Sequence, residues 1–233
     1  MIRFLLLAVV LSATAIAAAA EDVDLALVLV TDVSRSIDDS AFALEKQGYG
    51  TAFTNPAVIR AIQGGLLGQI GVSYIEFAGE GQTATVVDWA VIGDSVSAHA
   101  CADRVTAAPR SFHGRTAIGS GIDLAVQALA ESGLNATRRV IDVCGDGTSN
   151  AGREIRAARD DAVRAGIVIN GLAIVNDHPV SWSLAHVQPP GGLPLYYREN
   201  VTGGPGSFVM EVHDFHGFGE AMTRKLVSEI AWR

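Results

Sequence analysis

Lysine is nearly absent from this 233-residue chain: Lys46 and Lys225 are the only two, and acidic residues outnumber Lys and Arg by 25 to 17, for a formal net charge of −8. Nucleic-acid binding depends on neutralising phosphates, so an acidic, lysine-poor chain argues against that partner class. It also offers no polybasic patch to an anionic membrane. Cysteine is scarce too. Cys101 and Cys144 stand alone, with no C-x-x-C and no Cys/His zinc spacing. A disulfide between them is allowed in an oxidising compartment, but spacing does not decide whether their Cα atoms approach. After the first twenty residues no apolar run is long enough to span a membrane. No glycine lies between Asp32 and Asp38, so no dinucleotide-binding G-x-G-x-x-G follows the first strand. The G-x-S-x-G turn of serine hydrolases is missing as well, since Gly119-Ser120-Gly121 has the wrong spacing.

What the N-terminus does have is an export signal. Arg3 precedes the apolar run Phe4 to Ala17, and Ala18-Ala19-Ala20 supplies the small residues of an A-x-A cleavage site before Glu21. The run is too short and alanine-rich for the ~20 strongly apolar residues of a membrane span. No Cys follows the cleavage site, which disfavours a lipid anchor. Residues 1–20 are therefore expected to be a signal peptide. Residues 21–233 are expected to form one exported domain, periplasmic or secreted, without membrane insertion, and of a length that buries a core unaided.

Strand-like apolar runs occur at 24–31, 70–77, 83–91, 138–145, 167–175 and 207–212, with helix-like segments at about 38–54, 95–107, 117–132, 152–165 and 214–231. This alternation predicts an α/β, Rossmann-like three-layer fold: a mostly parallel six-stranded sheet with helices on both faces. The segment Ala78-Gly79-Glu80-Gly81-Gln82 is too short for a crossover helix, so the second and third strands should form an antiparallel hairpin with an antiparallel edge strand.

The end of the first strand carries Asp32-Val33-Ser34-Arg35-Ser36. One carboxylate and two hydroxyls at the sheet edge that holds ligands suit a hard cation such as Mg²⁺ or Mn²⁺. They equally suit a helix N-cap. Downstream, Gly114-Arg115-Thr116-Ala117-Ile118-Gly119 places a hydroxyl in a glycine-flanked loop, and the strand Val140 to Cys144 runs into Gly145-Asp146-Gly147. This D-x-S-x-S, loop Thr and strand-end Asp, in that order, resemble the metal-ion-dependent adhesion site of von Willebrand factor type A domains. Together with Asn170-Gly171-Leu172 and Tyr197 to Gly206, these segments look like one bacterial branch of exported proteins of unknown function.

The resemblance implies that Ser34, Ser36 and Thr116 reach a Mg²⁺ or Mn²⁺ ion directly, and that Asp32 and Asp146 hold its waters or bind in exchange. It implies a non-enzymatic module that captures a protein partner through an exposed Asp or Glu. Arg35 and Arg115 neighbour these positions and are read as solvent-facing. Two alternatives remain open. Gly145-Asp146-Gly147-Thr148-Ser149-Asn150 looks like the acidic loop of haloacid-dehalogenase-like phosphatases, with Asp32 as nucleophile; however, Ser34 and Asn150 stand where that chemistry needs carboxylates. The other is a structural domain whose metal site has lapsed. His213-x-x-His216 has helical spacing for a metal pair but no third ligand. The Pro/Gly-rich stretch from Asn176 to Gly206 should begin on the metal face, and its Trp182, Tyr196 and Tyr197 are residue types that serve either as binding hot spots or as core pins.

Overall fold

The computed structural model describes residues 20–175 and 184–232. Strands β1 (Glu21–Asp32), β2 (Ile70–Phe77), β3 (Thr83–Ile92), β4 (Leu134–Gly145), β5 (Val168–Ile174) and β6 (Val209–Val212) form one sheet in the order β3-β2-β1-β4-β5-β6. All pairings are parallel except β2 with β3. The short Ala78–Gln82 connection thus gives the expected antiparallel edge. Helices α1 (Asp39–Thr54), α2 (Pro56–Gln63), α3 (Ser95–Ala107), α4 (Ile118–Glu131), α5 (Ile155–Arg164), α6 (Leu184–Val187), α7 (Leu193–Tyr196) and α8 (Phe218–Ala231) complete the fold, with a π-helical turn at Tyr197–Val201.

β1 is an unbroken apolar run because both of its faces are covered. Leu25, Leu27 and Leu29 point into a core with Tyr49 and Phe53 of α1, Val105 of α3 and Phe218, Met222 and Leu226 of α8. Ala26, Val28 and Val30 point the other way, onto Ile118 and Ile122 of α4, Ala158 and Ala162 of α5, and Tyr197. Each fully buried Leu, Val or Phe side chain contributes roughly 1.5–3 kcal/mol of transfer free energy. α1 starts where Asp38 Oδ1 accepts from Ala41 N at 2.8 Å, a cap of about 1 kcal/mol. It crosses α8 at close range: a Cβ on Gly48 would overlap the Phe218 ring and stand 3.0 Å from the Gly219 backbone nitrogen.

Three sequence expectations need correction. α2 was not expected; Asn55 caps it through Ala57 N at 2.9 Å and Pro56 occupies its first turn. β4 begins four residues earlier than its apolar run, because Leu134 to Arg139 alternate between half-buried and exposed and so lack a continuous hydrophobic signal. The Pro/Gly-rich stretch Asn176 to Gly206, whose composition reads as one long loop, is largely helical after residue 183. Residues 1–19 of the expected 1–20 leader, and Trp182, lie outside the described residues. Cys101 and Cys144 are both buried and unbridged. Among the described residues no helix is long and apolar enough to cross a membrane.

Candidate metal site

The chain leaves β1 toward β2 on one side and later returns to place β4 on the other. The crevice between the C-terminal ends of β1 and β4 is therefore the sheet's topological switch point, where such folds hold ligands. Asp32 ends β1 and Asp146 follows β4 by one residue, so the two carboxylates flank that crevice.

The five residues singled out from sequence converge here. Asp32 Oδ1 accepts from Ser34 N at 2.7 Å, which folds the D-x-S-x-S loop back on itself. Ser34 Oγ lies 3.1 Å from Ser36 Oγ, and Ser36 Oγ donates to Asp146 Oδ1 at 2.6 Å. The Thr116 loop is tied to both neighbours. Arg35 N donates to Gly114 O at 3.0 Å, and Asn150 N donates to Thr116 O at 2.8 Å. Asp32, Ser34, Thr116 and Asp146 are buried and Ser36 is half-buried. A cleft of about 180 Å³ lined by Ser34, Ser36, Thr116, Asn150 and His186 opens above them.

The electrostatics are unbalanced. Asp32 Oδ2 and Asp146 Oδ2 are buried without a hydrogen-bond partner. Burial first, then the charge of Asp146, pushes the Asp32 carboxyl up to about 8. Burial lifts Asp146 to about 6, against the opposing bond from Ser36. Beneath them Glu45 of α1 is fully buried; its Oε1 accepts the Cys144 thiol at 3.4 Å and its Oε2 has no partner. Burial is the main cause that holds Glu45 well above the usual carboxylate range. Two orphaned carboxylate oxygens beneath three hydroxyls are a donor set that fits a hard divalent cation. No cluster of three His, Cys, Asp or Glu metal ligands occurs among the described residues, so the hydroxyls must complete any shell.

Three residues of this site were not assigned to it from the sequence. Arg110 is the organiser: its Nη2 donates to the carbonyls of Val33, Ser34 and Ile37 at 2.7, 2.7 and 2.8 Å, and its Nε to Phe112 O at 3.0 Å. Asn150 Oδ1 accepts from Thr116 N at 3.0 Å. His186 Nε2 stands 3.1 Å from Thr116 Oγ1. No spacing rule links a guanidinium to backbone carbonyls more than seventy residues away. Arg35 and Arg115 are exposed, as expected. Tyr197 is a core residue rather than a contact residue, and Tyr196 uses its hydroxyl to accept from Ser149 N at 3.0 Å. His213 and His216 are exposed beside a separate cleft of about 360 Å³ that Ser36 and Asp38 also line.

With that geometry in hand, residues 22–233 match the family described as "Protein of unknown function (DUF1194)". The chain belongs to this family. A comparison with curated proteins gave no match. Among solved structures it is similar to proximal thread matrix protein 1 from the mussel byssus, with a TM-score of 0.64 and 14% identity over 91% of this chain and 49% of that one. It is similar to a von Willebrand factor type A protein from Catenulispora acidiphila, with a TM-score of 0.63 and 13% identity over 89% of this chain and 43% of that one. It is also similar to the vWF domain of the type V pili tip protein Mfa5 from Porphyromonas gingivalis, with a TM-score of 0.57 and 12% identity over 89% and 95% of the two chains. The chain spans less than half of the first two proteins. Another structure of the mussel protein, at a TM-score of 0.59, has a zinc-occupied MIDAS (metal-ion-dependent adhesion site) motif. At these identities the likeness shows the fold: a von Willebrand factor type A-like domain.

Proposed function

We propose that this DUF1194 domain is an exported, non-enzymatic binding module that captures a partner protein's Asp or Glu through a Mg²⁺ or Mn²⁺ ion. Asp32, Ser34, Ser36, Thr116 and Asp146 would hold the ion. One observation carries the reading: two buried carboxylates lie at the switch point with orphaned oxygens and no lysine among their partners. A bound cation would supply the missing positive charge and, with largely neutral hydroxyl donors, keep affinity for one more anionic oxygen. The chain's own contribution is rigidity, since Arg110 fixes the Asp32–Ser36 loop and Asn150 the Thr116 loop. The relatives' names, a byssal matrix protein and a pilus tip protein, support an assembly role outside the cytoplasm. A phosphatase reading is not favoured, because Ser34 and Asn150 put a hydroxyl and an amide where two acids are required.

Calorimetric titration tests the metal, with Asp146→Ala as control. Capture from an envelope extract with and without EDTA tests the partner, with Ser34→Ala as control. Binding heat in millimolar Mg²⁺ that vanishes in Asp146→Ala, and partners released by EDTA, are the expected results. No metal-dependent heat or melting shift would leave the domain structural. Metal-dependent turnover of a phosphate ester, lost in Asp32→Asn, would make it an enzyme.

A further inference from the structure

We propose that His186 is a carboxylate-recognition residue of this site: its neutral imidazole presents the Nε2–H beside Thr116, where it hydrogen-bonds the second oxygen of the captured carboxylate. The proposal rests on the metal-dependent reading above and adds a residue that reads the ligand rather than the ion.

The tautomer follows from the hydrogen-bond network. Thr116 N–H donates to one side-chain atom of Asn150, which must be its oxygen, Oδ1. The other side of that amide is therefore the donor Nδ2, and it faces His186 Nδ1 at 3.2 Å. Nδ1 must accept, and Thr148 Oγ1 at 3.0 Å can donate to the same nitrogen. A neutral imidazole carries its one proton on the other nitrogen, so Nε2–H donates to Thr116 Oγ1 at 3.1 Å. The opposite tautomer, or the doubly protonated ring, would set an N–H against the Asn150 amide.

The ring is also fixed in place. Thr148 N donates to His186 O at 3.1 Å. The imidazole lies over Gly147, directly after Asp146, where any Cβ would overlap it. His186 lines the same cleft as Ser34, Ser36 and Thr116, so its N–H faces the place an incoming anion would occupy. A neutral hydroxyl is the weaker acceptor; a carboxylate oxygen makes a hydrogen bond roughly twice as strong. The N–H should therefore transfer from Thr116 to the ligand. Nε2 could ligate a metal only in the opposite tautomer, which the Asn150 amide disfavours, and Nδ1 is occupied by Asn150 and Thr148.

The test uses the full domain, Mg²⁺, and a short blocked peptide with a single Asp or with Asn in its place. His186→Ala should leave Mg²⁺ affinity within about twofold, yet weaken the Asp peptide by about tenfold, the lower end for a hydrogen bond to a charged group. His186→Gln, whose Nε2 can reach the same point, should restore part of that loss. Long-range ¹H–¹⁵N spectra of the ring should show Nε2–H without metal and a shift of that proton when the Asp peptide binds. Normal Mg²⁺ binding with unchanged peptide affinity in His186→Ala overturns this proposal alone. So does an Nδ1–H tautomer, or a loss of Mg²⁺ affinity in His186→Ala that makes the ring a metal ligand. If the wild type binds no Mg²⁺ at all, the metal-dependent reading falls and takes this one with it.

Discussion

Two groups of buried carboxylates lie within this sheet, and they differ in what neutralises them. Under α8, Lys225 Nζ sits 2.6 Å from Asp142 Oδ1 and 2.5 Å from Glu229 Oε1, with all three side chains fully buried. Asn170 Nδ2 donates to Glu229 at 2.8 Å. Burial alone would lower the Lys225 pKa, but the charges of Asp142 and Glu229 outweigh it and raise it, so the ammonium stays charged. One ammonium does not balance two acids, and Asp142 is lifted to about 7, by burial and then by Glu229. At the switch point, Asp32, Asp146 and Glu45 are buried as deeply, yet the other lysine, Lys46, pairs with Glu76 at 3.2 Å. Arg110 lowers both aspartates, but burial outweighs it at each, and its Nη2 bonds backbone carbonyls rather than either carboxylate. A buried acid group that contains its own cation is structure. One that lacks such a pairing is what the proposed binding of a cation from solution would compensate.

The largest effect should come from breaking the Lys225 cluster. Lys225→Met leaves Asp142 and Glu229 buried and unpaired, a change worth about 3–5 kcal/mol. Urea unfolding should show that loss equally with and without Mg²⁺, and adding Asp142→Asn should recover part of it. A variant as stable as wild type would show that the ammonium is not what holds these acids.

Arg110→Ala should come next, at about 2 kcal/mol, since hydrogen bonds from a charged donor contribute more than neutral ones. It frees the carbonyls of Val33, Ser34 and Ile37 together. The Asp32–Ser36 loop then loses its shape, so Mg²⁺ affinity should fall more than tenfold. Arg110→Lys should not rescue either property, because one ammonium does not reproduce a planar fork that also reaches Phe112. A stability loss with unchanged Mg²⁺ affinity would separate loop shape from ion binding.

Arg110 also marks the boundary of what could be read from the sequence. β2 was legible to the residue, because Ile70 to Phe77 is buried throughout and its pattern is unbroken. The first four residues of β4 were not, since half of them face solvent. Asp32, Ser34, Ser36 and Asp146 stood out as short polar residues where apolar strands end, and Thr116 in its glycine-flanked loop; grouping the five as one candidate site took the resemblance to the adhesion-site motif. Arg110, Asn150 and His186 bond backbone atoms, each other or a loop hydroxyl across the fold, a relation that only the closed fold creates. Glu45 was hidden differently: on a helix it reads as an ordinary polar position, yet it faces the sheet.

Removing a carboxylate from the switch point should act with the opposite sign to Lys225→Met. The Asp32 pKa of about 8 lies above its ordinary 3.8, so the folded protein keeps a proton that the unfolded chain gives up. That contribution is complete below about pH 4 and is lost as pH rises through 8. Asp32→Asn, which cannot ionise, should therefore match wild type near pH 4 and exceed it increasingly toward pH 8. The gap should be largest at pH 8, read by urea unfolding at both pH values. The variant should also lose any Mg²⁺-induced rise in melting temperature. In the wild type, ion binding should release protons, measurable by calorimetry in buffers of different ionisation enthalpy. A stability gap that shrinks with pH would contradict the raised pKa.

The smallest expected effect tests how far the unbalanced field reaches into the core. Tyr197 is fully buried against β4 and β5, and its hydroxyl has no hydrogen-bond partner. A Cβ on Gly145 would stand 2.9 Å from that hydroxyl and 3.1 Å from Asp32 Oδ2, so the two oxygens share one small space. Burial, then the charge of Asp32, holds the phenol well above its usual pKa, so it is a neutral group without a partner. Tyr197→Phe removes an unsatisfied polar atom and leaves the ring packing intact. Stability should stay within about 0.5 kcal/mol or rise, and Mg²⁺ affinity should not change. A loss of more than about 1 kcal/mol, confined to pH values where Asp32 is ionised, would mean that the hydroxyl donates to that carboxylate. The switch-point acids would then have one internal compensating group, and their contrast with the Lys225 cluster would be one of degree.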